Sequence, residues 1–175
     1  ATCAQLALLP LKIMGRSRLS IEDIRGAVFE AKPAVVFIDY LQRCRMPRSE
    51  NMAYQISEFY AVLKSVLLDS GAIGFIGAQT DREVDKNPTV APTMSHLKGS
   101  GGIESESDGV GMLWEPPREV IAKRQDWAPP SPGCDAFELI IRKNRNGAKD
   151  VSADLQLRGS LIKMDERELT PGDFR

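Results

Sequence analysis

Apolar residues recur along this chain at two spacings, one that suits helices and one that suits strands. Ile21, Ile24 and Val28 fall at helical intervals and predict a helix with one apolar face. Ser20 marks its start and Asp23 completes a capping box, with Leu19 placed to pack on Ile24. Pro33 closes that helix, because it biases Lys32 away from helical angles. A longer helix is predicted over 51–70, where Met52, Ile56, Phe59, Tyr60, Leu63, Val66 and Leu67 line one side. Gly71 is well placed to end it.

Two runs are apolar almost throughout. Ala34 to Leu41 turns polar only at Asp39, and Ala72 to Gln79 only at its end. Such runs predict strands buried on both faces, as in a parallel sheet. Leu11 to Met14 alternates weakly and predicts a short strand, and Gly109 to Glu115 predicts another. Phe137 to Asn144 and Val151 to Arg158 alternate around Asn146-Gly147, which predicts a hairpin. Arg43–Glu50, Asp81–Pro92 and Pro116–Cys134 read as loops rich in charge or proline. The order of elements predicts an α/β layered fold, with a mainly parallel sheet and an antiparallel edge. No repeat or linker argues for two domains, so residues 1–175 read as a single, partial domain.

Composition narrows the picture. Hydrophobic residues make up 42% of the 175, enough for a real core. The net charge is −1, so any nucleic-acid contact must come from local clusters of Lys and Arg. The apolar start of the chain is too short for a membrane span and lacks the pattern of a signal peptide. Cys3, Cys44 and Cys134 lie far apart without a C-x-x-C pair, which points to free thiols in a reducing cytoplasm rather than a zinc site.

Several residues sit where chemistry is done. Asp39 ends a strand at the edge where open α/β sheets bind ligands, and a carboxylate there can hold Mg²⁺. An ordinary strand-end Asp fits that position equally well. Gln79 ends the next strand and can hydrogen-bond a phosphate or place a water; on residue type alone, a polar strand terminus is the simpler reading. Lys143 and Arg145 are two apart on a predicted strand and project to one face, with Arg142 opposite. A solvated pair on an edge strand has the same pattern. Lys98, Gly99 and Gly101 lie in a Gly-rich turn whose backbone could cradle an anion. Arg82 and Lys86, and separately Arg43, Arg45 and Arg48, are loop cations. The acidic set Glu104, Glu106 and Asp108 reads as a solvated helix end.

In their order and spacing, AVVFIDYLQ (34–42), GFIGAQTDR (74–82), SHLKGSGGIESESD (95–108) and IIRKNRNGAKD (140–150) resemble the motor domain of DnaB-type replicative helicases. That resemblance spans about Leu11 to Leu157. It implies a RecA-like fold, ATP and Mg²⁺ as ligands, single-stranded DNA as substrate and a hexameric ring, with primase and a loader as possible partners. Asp39 with Tyr40-Leu41-Gln42 matches the family's Walker B segment, which makes Asp39 the metal ligand. Gln79 matches the family's phosphate-sensing Gln. Lys143-Asn144-Arg145-Asn146-Gly147 matches Lys-x-Arg-Asn-Gly, so that Lys143 and Arg145 would act on the nucleotide of a neighbouring subunit. Arg82, Lys86, Lys98, Gly99 and Gly101 would face DNA, with Lys98 and Gly99 standing where the family commonly has Arg and Glu.

The phosphate-binding loop G-x-x-x-x-G-K-[ST] is absent from these 175 residues. The resemblance implies that this loop, the water-activating glutamate and an amino-terminal interaction domain would all precede Ala1. The chain is thus expected to be the carboxyl-terminal part of an ATP-dependent helicase, inactive alone. Two alternatives stay open: a non-motor RecA-like ATPase of the recombination or regulatory kind, and a catalytically inactive DNA-binding or oligomerisation module.

Overall fold

The computed structural model describes residues 8–49, 51–97, 100–124 and 130–166. Two compact units emerge, Ala1–Gln79 and Thr80–Arg175.

In the first unit, helix α1 (Ile21–Ala31) begins as its sequence predicts. The Asp23 N–H donates to Ser20 Oγ at 3.2 Å, and the Ser20 N–H donates to Asp23 Oδ2 at 2.9 Å. Lys32 ends the helix in the left-handed region (φ 46°), donating its N–H to the Val28 carbonyl. Helix α2 (Met52–Ser70) starts at Asn51, whose side chain accepts from the Ala53 and Tyr54 N–H groups, and stops at Gly71 with φ 70°. Its stripe of Ile56, Phe59, Tyr60, Leu63 and Val66 is buried, the helix packs with α1, and Ile24 and Val28 are the buried residues of α1. Burial pushes the Tyr60 phenol up to about 12.

Strands β1 (Val35–Ile38) and β2 (Ile73–Ile76) pair in parallel, Val35 with Ile73 through Ile38 with Ile76. Here the expectation of burial on both faces fails. Only the face of Val36, Ile38, Gly74 and Ile76 is sheltered. A Cβ on Gly74 would lie 2.5 Å from Leu67 Cδ1, so α2 rests directly on that face. The opposite face is bare: Phe37 is 74% exposed and Phe75 57%, and their rings stack 5.3 Å apart. An all-apolar run records that a strand is able to be covered on both sides, not that a second layer is there. Leu11–Met14 forms no strand either, since no strand among the described residues pairs with it, and Lys12 bonds instead to Glu30 at 2.7 Å.

The second unit is an antiparallel meander, β3 (Gly109–Trp114), β4 (Asp135–Asn144), β5 (Val151–Arg158) and β6 (Lys163–Glu166), in that order. Parallel pairing among the described residues is thus confined to β1 and β2. Three short helices precede or interrupt the meander: α3 (Glu83–Lys86), α4 (Ser100–Glu106) and α5 (Arg118–Ile121). The Asp81–Pro92 and Pro116–Cys134 loops therefore each hold a helical turn that their proline content concealed. Alternation places Ala136, Glu138 and Ile140 of β4 on one buried face with Met112 and Trp114 of β3. Glu138 is a carboxylate in that core. It pairs with Arg124 Nη1 at 3.0 Å, and the guanidinium lies 5.8 Å from the Trp114 ring. The hairpin of β4 and β5 forms, but Asn146-Gly147 is not a two-residue turn. The connection runs from Arg145 to Asp150, and Asp150 rather than Gly147 takes the positive φ, 57°.

Candidate functional site

The carboxyl ends of β1 and β2 are bound together by a short set of hydrogen bonds. The Gly77 N–H donates to the Ile38 carbonyl at 2.9 Å, and the Leu41 N–H donates to the Gly77 carbonyl at 2.8 Å. Leu41 is fully buried and anchors the segment that follows Asp39. Gln42 then spans the gap. Its Oε1 accepts from the Gln79 N–H at 3.1 Å, and its Nε2 donates to the Gln79 carbonyl at 3.4 Å. One side-chain amide thus satisfies both backbone groups of Gln79, so Gln42 fixes where the Gln79 side chain starts. Residue-by-residue reading did not single out Gln42 for a role. Its place in the Asp-Tyr-Leu-Gln run was the available signal.

Asp39 and Gln79 are brought together at this rim, and both side chains are exposed. Among the described residues nothing hydrogen-bonds or ion-pairs with the Asp39 carboxylate. The peptide between Asp39 and Tyr40 is cis. A shallow concavity of about 250 Å³ lies beside them, lined by Tyr40, Ala78 and Gln79. A free carboxylate and a free amide flanking an open hollow are the donor types that a hydrated divalent cation and a phosphate take. Mg²⁺ keeps most of its waters and typically takes one or two carboxylates from protein. Asp39 fits that demand. No group of three or more His, Cys, Asp or Glu gathers among the described residues, at this rim or away from it.

The second unit holds the other predicted cations. Lys143 and Arg145 share a face by strand alternation, and a bulge decides which face it is. β3 and β4 pair Gly111 with Ile141 but Val110 with Lys143, leaving Arg142 as the extra residue. Beyond that point the odd-numbered residues of β4 take over the face that Ile140 and Glu138 occupy before it. Lys143 Nζ accordingly donates to the Glu104 carbonyl near the end of α4. Arg145 Nη1 lies 2.7 Å from Asp108 Oδ1, and its N–H donates to the Asp108 carbonyl at 2.8 Å. Arg142 points elsewhere, bonding the Pro92 carbonyl at 2.9 Å and Asp150 at 3.2 Å.

The remaining candidates are scattered. Arg82 precedes α3 and Lys86 ends it, both exposed, with Lys86 3.8 Å from Glu83. Gly101 lies within helix α4, not in a Gly-rich turn: a short run of glycine is still able to wind when Ile103 is buried beneath it. Lys98 and Gly99 fall outside the described residues. Of the acidic set, Glu104 and Glu106 lie in the last turn of α4, as a helix end should, while Asp108 is engaged by Arg145.

Comparison with known proteins bears on the family and the fold. The family model described as "DnaB-like helicase C terminal domain" matches residues 1–166. A probable replicative DNA helicase of Trieres chinensis is 31% identical over 149 residues, covering 81% of this chain and 32% of the relative. The replicative DNA helicase DnaB of Buchnera aphidicola subsp. Schizaphis graminum is 25% identical over 142 residues, 81% of this chain and 28% of its own. The chain therefore spans about a third of the length of these relatives. Among solved structures, an ATPase domain superposes with a TM-score of 0.76 at 22% identity, covering 94% of this chain and 57% of that one. A DnaB-like replicative helicase, described with its interactions with primase, superposes with a TM-score of 0.70 at 23% identity, over 87% of this chain and 36% of that one. These likenesses establish the RecA-like helicase fold. With a family model covering nearly its whole length, this chain belongs to the DnaB-like helicase C-terminal domain family.

Proposed function

We propose that this chain forms part of a replicative DNA helicase motor that couples ATP hydrolysis to translocation on single-stranded DNA and to duplex unwinding. Both compact units would belong to one motor domain, working in a hexameric cytoplasmic ring that meets primase and a loader. No described helix is long and apolar enough to cross a membrane. The observation that carries the reading is the Asp39–Gln79 rim: two free polar side chains at the carboxyl ends of parallel strands, held in place by Gln42.

In this reading Asp39 holds Mg²⁺ through its carboxylate, and Gln79 hydrogen-bonds the terminal phosphate or the attacking water. The metal, when bound, neutralises charge developing on the phosphates. Lys143 and Arg145 serve the nucleotide of an adjacent subunit, Arg145 by stabilising the transition state. Arg82, Lys86, Lys98, Gly99 and Gly101 serve the DNA backbone. These 175 residues carry no Lys-bearing phosphate loop and are not expected to turn over ATP by themselves.

The test uses the intact helicase. Asp39→Asn should abolish most ATP turnover while the protein stays folded, because an amide is a much poorer Mg²⁺ ligand. Arg145→Ala should lower turnover by about 10³-fold or more if it acts as a finger in trans. Mixing the two inactive variants should then restore some activity, since one interface in the mixed ring combines the intact half of each. Turnover within twofold of the parent for Asp39→Asn would make Asp39 a structural strand end. Absence of rescue in demonstrably mixed rings would place Arg145 within its own subunit.

A further inference from the structure

The acidic residue facing Arg145 is unexplained by the site described so far. Asp108 stands immediately before β3 and Arg145 immediately after β4. Gly109 pairs with Asn144, and the Arg145 N–H to Asp108 carbonyl bond carries the ladder one step further. Sheet geometry thus makes Asp108 and Arg145 cross-strand neighbours, the arrangement in which opposite charges attract. Their side chains meet at 2.7 Å through one guanidinium nitrogen, Nη1, and one carboxylate oxygen, Oδ1.

A guanidinium carries five N–H donors in a rigid fork. One short contact at Nη1 steers it and leaves donors available for a phosphate. The pair is half open to solvent, with side-chain exposures of 49% and 64%, so the carboxylate is not desolvated enough to trap the cation. A second tether runs alongside: Lys143 Nζ rests on the Glu104 carbonyl of α4. Both cations at the end of β4 are therefore aimed by the segment 104–108.

We propose that Asp108 is the positioning residue for Arg145, holding the guanidinium in the orientation from which it reaches the neighbouring subunit's phosphates. The proposal rests on the trans role of Arg145 given above. An unguided arginine samples many rotamers, and loss of the guide spreads the guanidinium over orientations that miss the transition state. The effect falls on kcat, because Arg145 acts mainly on the transition state.

The experiment measures ATP turnover, KM for ATP and Tm for the intact helicase and its Asp108→Ala, Asp108→Asn, Arg145→Ala and doubly substituted Asp108→Ala/Arg145→Ala forms. Asp108→Ala should lower kcat roughly fivefold, with KM changed less than about twofold, a loss in the range of a solvent-exposed pair. Asp108→Asn keeps an oxygen acceptor at the same reach and should recover most of that loss. In the Arg145→Ala background the Asp108→Ala change should have no further effect on kcat. Full turnover in Asp108→Ala, or an equal loss with and without Arg145, overturns the proposal. So does an Asp108→Asn form as slow as Asp108→Ala. Failure of the underlying reading looks different: there Arg145→Ala itself would retain full turnover.

Discussion

Replacing Arg124 by alanine should destabilise the second unit far more than an ordinary surface change, because it strands a carboxylate in the core. The Glu138 side chain is only 6% exposed, and Arg124 Nη1 sits 3.0 Å from its Oε2. Removing one partner of a buried pair costs about 3–5 kcal/mol. Arg124 is 33% exposed, so water reaches the pair and the loss is reduced to about 2–3 kcal/mol. The lost contact with the Trp114 ring, 5.8 Å from the guanidinium, adds about 0.5 kcal/mol. For a urea slope of about 2 kcal/mol/M the unfolding midpoint should fall by about 1–2 M. Replacing both residues together, Arg124→Met with Glu138→Met, removes the buried charge along with its partner. That form should stay within about 1 kcal/mol of the parent. Equilibrium urea unfolding followed by far-UV circular dichroism gives all of these midpoints. A midpoint for Arg124→Ala within about 0.3 M of the parent would refute the reasoning. So would a double variant that loses as much as the two single losses combined.

Gln42→Met keeps the side chain's length but removes both bonds to the Gln79 backbone, at about 0.5 kcal/mol each for half-exposed groups. In the intact helicase it should slow ATP turnover by about fivefold, and unchanged kinetics would show that Gln79 needs no such support. The capping box of α1 should make part of the acid sensitivity removable. The Asp23 carboxyl is held below its usual value of 3.8, first by the hydrogen bond from the Ser20 backbone and then by that from its side chain. A depressed folded-state value means that the contribution is present above the unfolded value and lost as pH falls through the folded one. Asp23→Asn should flatten that part of the stability profile between pH 5 and pH 2 measured by acid titration, and an identical slope in both proteins would count against it.

The elements that local chemistry controls were legible in the sequence. Ser20 with Asp23, Asn51 with the stripe on α2, and Gly71 at its end each act within a few residues, so pattern and structure agree. The Asp39 and Gln79 strand ends were legible for the same reason. What the pattern could not carry was the number of layers. Phe37 and Phe75 look alike in a run of residues whether a helix covers them or not. The Asn146-Gly147 pair signalled the hairpin but not the length of its connection, because the last ladder bond is made from Asp150 to the Ile141 carbonyl. Gln42 was hidden for another reason: its partner lies thirty-seven positions away, and only the parallel pairing of β1 and β2 brings the two together. Glu138 gave no warning either, since a lone acid in an alternating strand reads as solvent-facing until Arg124 is seen beside it.

The bulge at Arg142 acts as a half-period shift in a two-beat pattern. Before it, even numbers on β4 mean inside, and after it, odd numbers do. Changes in chain length around this hairpin are therefore unequal. A residue gained or lost between Arg145 and Asp150 alters only the slack of the connection. A residue lost at 142 removes only the extra position, so Lys143 still faces Val110 and Arg145 still meets Asp108, whereas a residue lost at 144 brings Arg145 opposite Gly109, turns it to the other side of the sheet and leaves Asp108 facing the wrong neighbour. When related chains are aligned here, a gap moved by a single column changes which basic residue is equated with Arg145, and the placement of that gap is better decided by strand parity than by residue likeness.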